Sequence, residues 1–277
     1  MKTIYQVIII LTAFLIILAV SLTPTKHPTP KQEKIKVSEV NKLKITVIVD
    51  NNPGNRKLMT AWGISMLIEV DGKKLLFDTG PDPYTLEHNS RQLGIDITEI
   101  NAVIISHEHG DHTGGLPYIA EMNPNTKVYI PSKSSRIVIQ EIRNMGLKVI
   151  EVEKPMEIFD GVATIGELYG PPYEQSLIVN VKGKGLIVIV GCSHPKIEKI
   201  VSYAHNITGK PIYAVIGGFH LGGASEYRLR RIVETFLNLD IKEVYPLHCT
   251  GENAREYFKM KLGERYRDGG VGLIIEF

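Results

Sequence analysis

Three histidines and an aspartate fall within six residues of the stretch VIISHEHGDHTGG (103–115): His107, His109, Asp111 and His112. They follow a run of β-branched apolar side chains, where a buried strand should be ending. On an extended chain, side chains two residues apart point to the same side, so His107 and His109 can grip a single metal ion together. Gly110 then lets the backbone turn, after which Asp111 and His112 can serve a second ion or complete the first site. Gly114 and Gly115 permit close approach of the backbone to whatever is bound. Imidazole plus carboxylate suits zinc, with iron or manganese as alternatives. A solvated loop with incidental histidines is the competing reading, and four ligand-type side chains at this spacing argue against it.

Other segments supply partners in the same manner. His194 (IVGCSH), His220 (IGGFH) and His248 (YPLHC) each sit just past an apolar strand, and Asp78 ends another in LLFDTG. If those strands run side by side, the four residues gather at one rim of the sheets. Asp78 is then placed to accept a hydrogen bond from a metal-binding histidine. Each could singly be a structural residue; together they read as a site. Of the remaining histidines, His27, His88 and His205 read as incidental, and Cys249 beside His248 reads as buried packing. Arg228, Arg230 and Arg231 read as a solvated helix face, while Arg265 or Arg267 could reach the site.

The elements that must position these residues can be traced along the chain. KITVIVDNN is a strand running into a turn, and GISMLIEVDGKKLLFDTG is a hairpin around Asp71 and Gly72. Residues 83–94 read as a helix, and NAVIIS is the buried strand that delivers the histidine motif. A short helix (GGLPYIAEM), a strand (KVYIP), a helix (SSRIVIQEIRNM) and a strand (KVIEVE) follow. The second half repeats this pattern, opening with a hairpin around 183–185 and a helix from about Lys196. The strand IYAVIGG, the helix EYRLRRIVETFLNL, the strand EVYPLH, and a last helix and strand complete it. Hairpins followed by strand–helix alternation, twice over, predict an α/β fold of two mixed sheets packed together with helices outside.

Length and composition set the remaining bounds. A chain of 277 residues with 43% hydrophobic and 22% charged side chains can bury a substantial core. A net charge of +2 gives no reason to expect nucleic acid as a partner, and two cysteines rule out a disulfide framework. The abundance of Ile, Lys and Glu hints at a thermophile. Residues 4–22 carry no charge and, as a helix, would span about 28 Å, enough for a bilayer core. Residues 1–22 are therefore expected to be a transmembrane anchor or signal segment. Residues 23–39 are expected to be a Pro/Lys-rich tether, and 40–277 the catalytic domain. That organisation anchors the protein in a membrane, with the extracytoplasmic face favoured, or leaves it secreted if the segment is cleaved.

The motif HEHGDH matches the H-x-H-x-D-H signature of the metallo-β-lactamase superfamily, and FDTG upstream matches its first motif, so the chain resembles that superfamily from about residue 43 onward. The resemblance implies a four-layer αβ/βα sandwich of two mixed β-sheets flanked by helices, with a dinuclear centre of two divalent metal ions at one edge. More narrowly, GCSHP, IGGFHL and PLHCTG resemble a subgroup of archaeal enzymes similar to dihydropterin–(ribofuranosyl)aminobenzene phosphate synthase. Carried over by position, His107 and His109 are ligands of one metal, Asp111 and His112 of the other, and His248 is the last ligand. Two positions depart from the family pattern. GPPYEQSL offers Glu174 where a histidine is usual, and Gly191-Cys192 stands where Gly-Asp is usual. His194 is inferred to take over one of these duties, with Cys192 as the alternative ligand.

A pair of metals about 3.5–4 Å apart would hold a water and lower its pKa. The expected reaction is hydrolysis of a small-molecule ester, phosphoester, lactone or amide, with Asp111 orienting the attacking hydroxide. His220 would donate a proton or bind the developing oxyanion. A pterin-type C–N bond-forming synthase and a non-catalytic metal-binding domain are the alternatives. Nothing in the sequence indicates the oligomeric state.

Overall fold

The computed structural model describes residues 33–277, and one compact unit spans Lys34–Phe277. Strands β1 (Leu43–Val49), β2 (Ser65–Val70), β3 (Lys73–Phe77), β4 (Ala102–Ile104), β5 (Lys127–Pro131) and β6 (Lys148–Val152) form one sheet. The final strand, β13 (Ile274–Glu276), completes it in the order β13-β1-β2-β3-β4-β5-β6. The second sheet holds β7 (Met156–Phe159), β8 (Val162–Tyr169), β9 (Tyr173–Val181), β10 (Gly185–Val190), β11 (Ile212–Gly218) and β12 (Glu243–Leu247), in the order β12-β11-β10-β9-β8-β7.

Each sheet begins antiparallel and ends parallel: β3 to β6 run parallel, as do β10 to β12. The first hairpin turns at Asp71 (φ 41°) and Gly72 (φ 84°), the two consecutive positive φ values that a tight two-residue hairpin requires. The hairpin β7–β8, which sequence patterning does not single out, turns at Asp160 and Gly161.

Period-two alternation explains the layering. Along β10, Ile187 and Ile189 face the other sheet, packing with Ile45, Val47, Met66 and Phe77, while Leu186, Val188 and Val190 face the opposite way. That outer face is covered by α5 (Ile197–Thr208), α6 (Glu226–Asn238) and α7 (Glu252–Leu262), with Phe219, Phe236 and Phe258 packed among themselves. The outer face of the first sheet is covered by α1 (Pro83–Gln92), α3 (Leu116–Met122) and α4 (Arg136–Asn144). The short helix α2 (Gly110–Thr113) carries the end of the histidine motif. The result is a helix–sheet–sheet–helix sandwich.

Chain preceding β1 already joins this body. Ile35 donates its N–H to Ile207 O, and Val37 is buried against the outer core of the second sheet.

The expected transmembrane anchor, and the membrane localisation that rested on it, are corrected here. Among the described residues no helix is long and apolar enough to cross a membrane. Segment 4–22 itself lies outside the described residues, as does most of the expected tether.

Candidate metal centre

The parallel strands of both sheets deliver their C-terminal ends to one rim, and the chemistry-bearing side chains follow those ends directly. Asp78 follows β3, His107 and His109 follow β4, Cys192 and His194 follow β10, His220 follows β11, and His248 and Cys249 follow β12. The chain turns sharply at several of these ends, with left-handed backbone at Asp78 (φ 56°), Ser193 (φ 63°), His220 (φ 50°) and His248 (φ 44°). Asp, Asn and His tolerate that region better than bulkier residues, and such strain concentrates at functional sites.

Asp78 is fully buried and organises the histidine motif. Its Oδ1 accepts the Ser106 N–H at 2.6 Å, and its Oδ2 accepts from Ser106 Oγ and from His112 Nδ1, each at 2.7 Å. With Nδ1 so engaged, His112 turns Nε2 toward Asp111 Oδ2 at 3.5 Å and Cys192 Sγ at 3.3 Å. Thr79 holds the other side of α2 by donating both its N–H and its hydroxyl to His112 O. Gly114 and Gly115 serve packing rather than ligand approach. A Cβ on either would run into carbonyl oxygens of Pro81 or Thr79, so their absence lets this turn lie flat on the 79–81 loop.

His248 is oriented by residues that sequence reasoning missed. Asn51 Oδ1 lies 2.8 Å from His248 Nδ1, and Asp50 Oδ2 accepts the His248 N–H at 3.1 Å. The ring's Nε2 then points at Asp111 Oδ2, 3.3 Å away, and makes no hydrogen bond. The signal for Asp50 and Asn51 was present: VDNN is another strand end carrying polar side chains. Trp62, 61% exposed, lies with its ring 5.1 Å from that of His248.

On the other side, His107 Nε2 and His109 Nδ1 lie 3.1 Å apart, and the His194 ring is 4.7 Å from His107 and 5.0 Å from His109. His194 Nε2 is buried with no hydrogen-bond partner. The turn that presents His194 is held by Glu174. Its carboxylate accepts the backbone N–H of Cys192 (3.1 Å), Ser193 (2.8 Å) and His194 (2.7 Å). Thus the acid that stands where the family usually has a histidine is buried behind the ligand-type residues.

The charge pattern is that of a crowded basic cluster around a carboxylate. Burial and the neighbouring His112 hold His107 well below the ordinary histidine value, and burial with the nearby His220 takes His194 down to about 4. Burial opposes charge on His112 too, but the Asp78 and Asp111 carboxylates outweigh it and push His112 up to about 10. Burial would raise Asp111, yet its close contacts with the His112 and His248 rings hold it far below the carboxylate range. Burial lifts Glu174 to about 7 against the pull of its backbone donors. Cys192 and Cys249, both buried, bring their sulfurs to 3.2 Å. Their mutual contact pushes Cys192 up and Cys249 down, so the pair titrates as a unit.

All nine sequence-predicted site residues lie at this rim: Asp78, His107, His109, Asp111, His112, Cys192, His194, His220 and His248. Donor atoms of Asp111, His112, Cys192 and His248 lie within 4.8 Å of one another, as do those of His107, Cys192 and His194. Two buried imidazole nitrogens that make no hydrogen bond, facing a carboxylate and further imidazoles, form a donor set that fits divalent metal ions. The arginines do not join it: Arg265 pairs with Asp240, Arg267 with Glu243 and Arg228 with Glu198. His205 lies away from it, with Nδ1 at 2.8 Å from Lys210 O.

Comparison with known proteins agrees with this geometry. The profile of the Metallo-beta-lactamase superfamily matches residues 64–174. The 7,8-dihydropterin-6-methyl-4-(beta-D-ribofuranosyl)-aminobenzene-5'-phosphate synthase of Methanocaldococcus jannaschii is 27% identical over 88% of this chain and 99% of its own length. An uncharacterized protein of the same organism is 30% identical over 83% of this chain and 99% of its own. The crystal structure of Tm1679, a metal-dependent hydrolase of the beta-lactamase superfamily, superposes with a TM-score of 0.73 at 29% identity, covering 85% of this chain and 99% of that one. The motif, the sandwich and these relatives agree: the chain belongs to the metallo-beta-lactamase superfamily, whose members are metal-dependent enzymes.

Proposed function

We propose that the protein is a dinuclear, zinc-dependent hydrolase of a small-molecule ester, phosphoester, lactone or amide. The observation that carries this reading is the convergence of two triads, His107/His109/His194 and Asp111/His112/His248, with the Nε2 atoms of His194 and His248 buried and without a hydrogen bond. Each triad would hold one ion. Imidazole and carboxylate donors favour zinc, with iron or manganese as alternatives. Divalent ions bound there supply Lewis acidity and lower the pKa of water.

The chain's own groups divide the remaining work. Asp111 keeps a charged, partly exposed carboxylate at the mouth, where it orients the attacking water by accepting its proton in a hydrogen bond. Asp78, Asn51 and Glu174 hold His112, His248 and the His194 turn in place from behind. His220 is exposed at the rim beside His194, their rings 4.5 Å apart, and is placed to deliver a proton to the leaving group.

The test is the double variant His109→Ala/Asp111→Ala, expected to lose both bound metal and turnover in a screen of esters, phosphoesters, lactones and amides. Unchanged activity would end the proposal. The pterin-type synthase reading is favoured by one observation, the likeness to the M. jannaschii synthase along nearly its whole length. Turnover in 18O-labelled water separates the two. A hydrolase places the label in the acid or alcohol it releases, and a C–N bond-forming synthase gives a coupled product without the label. Metal binding without turnover of any substrate, pterins included, would favour a non-catalytic domain.

A further inference from the structure

We propose that Cys192, His220 and Cys249 form a binding site for one thiophilic metal ion, adjoining the two triads and additional to them. The three residues come from three neighbouring strand ends, β10, β11 and β12, one ligand from each. The two cysteines belong to strands that do not touch, yet their sulfurs lie 3.2 Å apart because β11 carries glycine between them. A Cβ on Gly218 would stand 2.8 Å from Cys249 Sγ and 2.5 Å from Gly191 O. Two residues beyond Gly218, the left-handed backbone of His220 brings a ring nitrogen within 4.8 Å of both sulfurs.

Two thiols and an imidazole are a soft donor set, unlike the imidazole–carboxylate triads beside them. Thiolates with imidazole select zinc and copper(I) over the harder ions. Three protein ligands leave one position open, and the exposed His220 marks the side from which an ion enters. Binding displaces the thiol protons to solvent, and nothing is oxidised or reduced. Each triad counts three donors without a sulfur, but Cys192 Sγ lies 3.3 Å from His112 Nε2 and within 4.8 Å of donor atoms in both groups, so the soft site adjoins the triads and shares their edge. An ion in this site also binds the His220 imidazole assigned above to proton donation, which makes the site inhibitory. That consequence rests on the hydrolytic reading; the existence of the site does not.

The experiment uses the full chain, reduced and loaded with zinc, to which cadmium is added as the probe. Bound metal per chain and thiolate-to-metal charge-transfer absorption are measured after desalting. Wild type is expected to hold one ion more than Cys249→Ser and to show the thiolate absorption, which that variant loses. His220→Ala, a change at an exposed residue, is expected to weaken the extra ion about tenfold or more while the folded chain persists. Equal ion counts and equal absorption in wild type and Cys249→Ser would overturn the proposal, leaving Cys192 as a ligand of the paired centre. Absence of thiolate absorption in wild type would overturn it too, as would a disulfide joining the pair under reducing conditions. None of these readouts uses turnover, so failure of the soft site and failure of the hydrolytic reading are separately visible.

Discussion

Asp78 and His112, 34 residues apart in sequence, meet through a 2.7 Å contact between Oδ2 and Nδ1 in a fully buried setting. The same carboxylate receives the backbone and side chain of Ser106, the residue just before His107. One acid therefore sets both the tautomer of His112 and the position from which His107 springs.

Asp78→Asn tests that dependence. Asparagine keeps the size and tolerates the left-handed backbone, so the turn should survive. It offers one acceptor oxygen where the carboxylate accepts three hydrogen bonds, so His112 loses its anchor. Metal affinity is expected to fall about 10- to 100-fold, measured by competition with a chelator of known strength. Affinity within twofold of wild type would show that His112 is held by packing alone.

Gly191 carries a second constraint on the same network. A Cβ there would run into Ser106 Oγ and stand 3.0 Å from Asp78 Oδ2. Gly191→Ala must push Ser106 off Asp78, costing about 1–3 kcal/mol of stability by overpacking. Denaturant unfolding reads the cost, and metal content should fall with it. A fully stable, fully loaded variant would mean that Ser106 can rotate away without consequence.

Much of this site is legible in the sequence, for an identifiable reason. His107, His109, Asp111 and His112 lie within one turn of chain, so their geometry follows from local backbone rules. His194, His220 and His248 are legible because each ends an apolar strand, and parallel strands must present like ends at one rim. What escapes depends on which strands are neighbours. Asn51 reaches His248 across 197 positions, because both follow strands that end at the same rim in different sheets. Cys249 reads as packing, since nothing local says that glycine on β11 opens a path to Cys192. The hairpin β7–β8 escapes as well, the alternation of β8 being interrupted by Gly166 at positive φ, where its pairing with β9 shifts register.

Glu174 shows how a departure from a family pattern can be structural. Three backbone N–H groups from consecutive residues converge on its carboxylate, and Ser193 between them has left-handed backbone. Glu174→Gln replaces one accepting oxygen by a donor that faces other donors. The expected loss is about 1–3 kcal/mol in unfolding of the metal-free chain. Calorimetry or denaturant titration of chelated protein checks it. Undiminished stability would mean that the turn at 192–194 holds itself.

The two ligand assignments left open at GCSH lead to different ion counts. If His194 completes the triad with His107 and His109, His194→Ala should lose one of the paired ions and keep the other, because Asp111, His112 and His248 remain intact. Cys192→Ser should then keep both paired ions, since no triad requires the sulfur. If instead the sulfur bridges the two groups, to each of which its position gives access, Cys192→Ser should loosen both ions together. Elemental analysis of the two variants under zinc separates these outcomes. Turnover adds a further check: a chain with one ion should keep substrate binding but lose rate, because a single ion would supply less of the Lewis acidity that the pair would provide. A His194→Ala chain that retains two ions and full rate would remove His194 from the centre and return its place to Cys192.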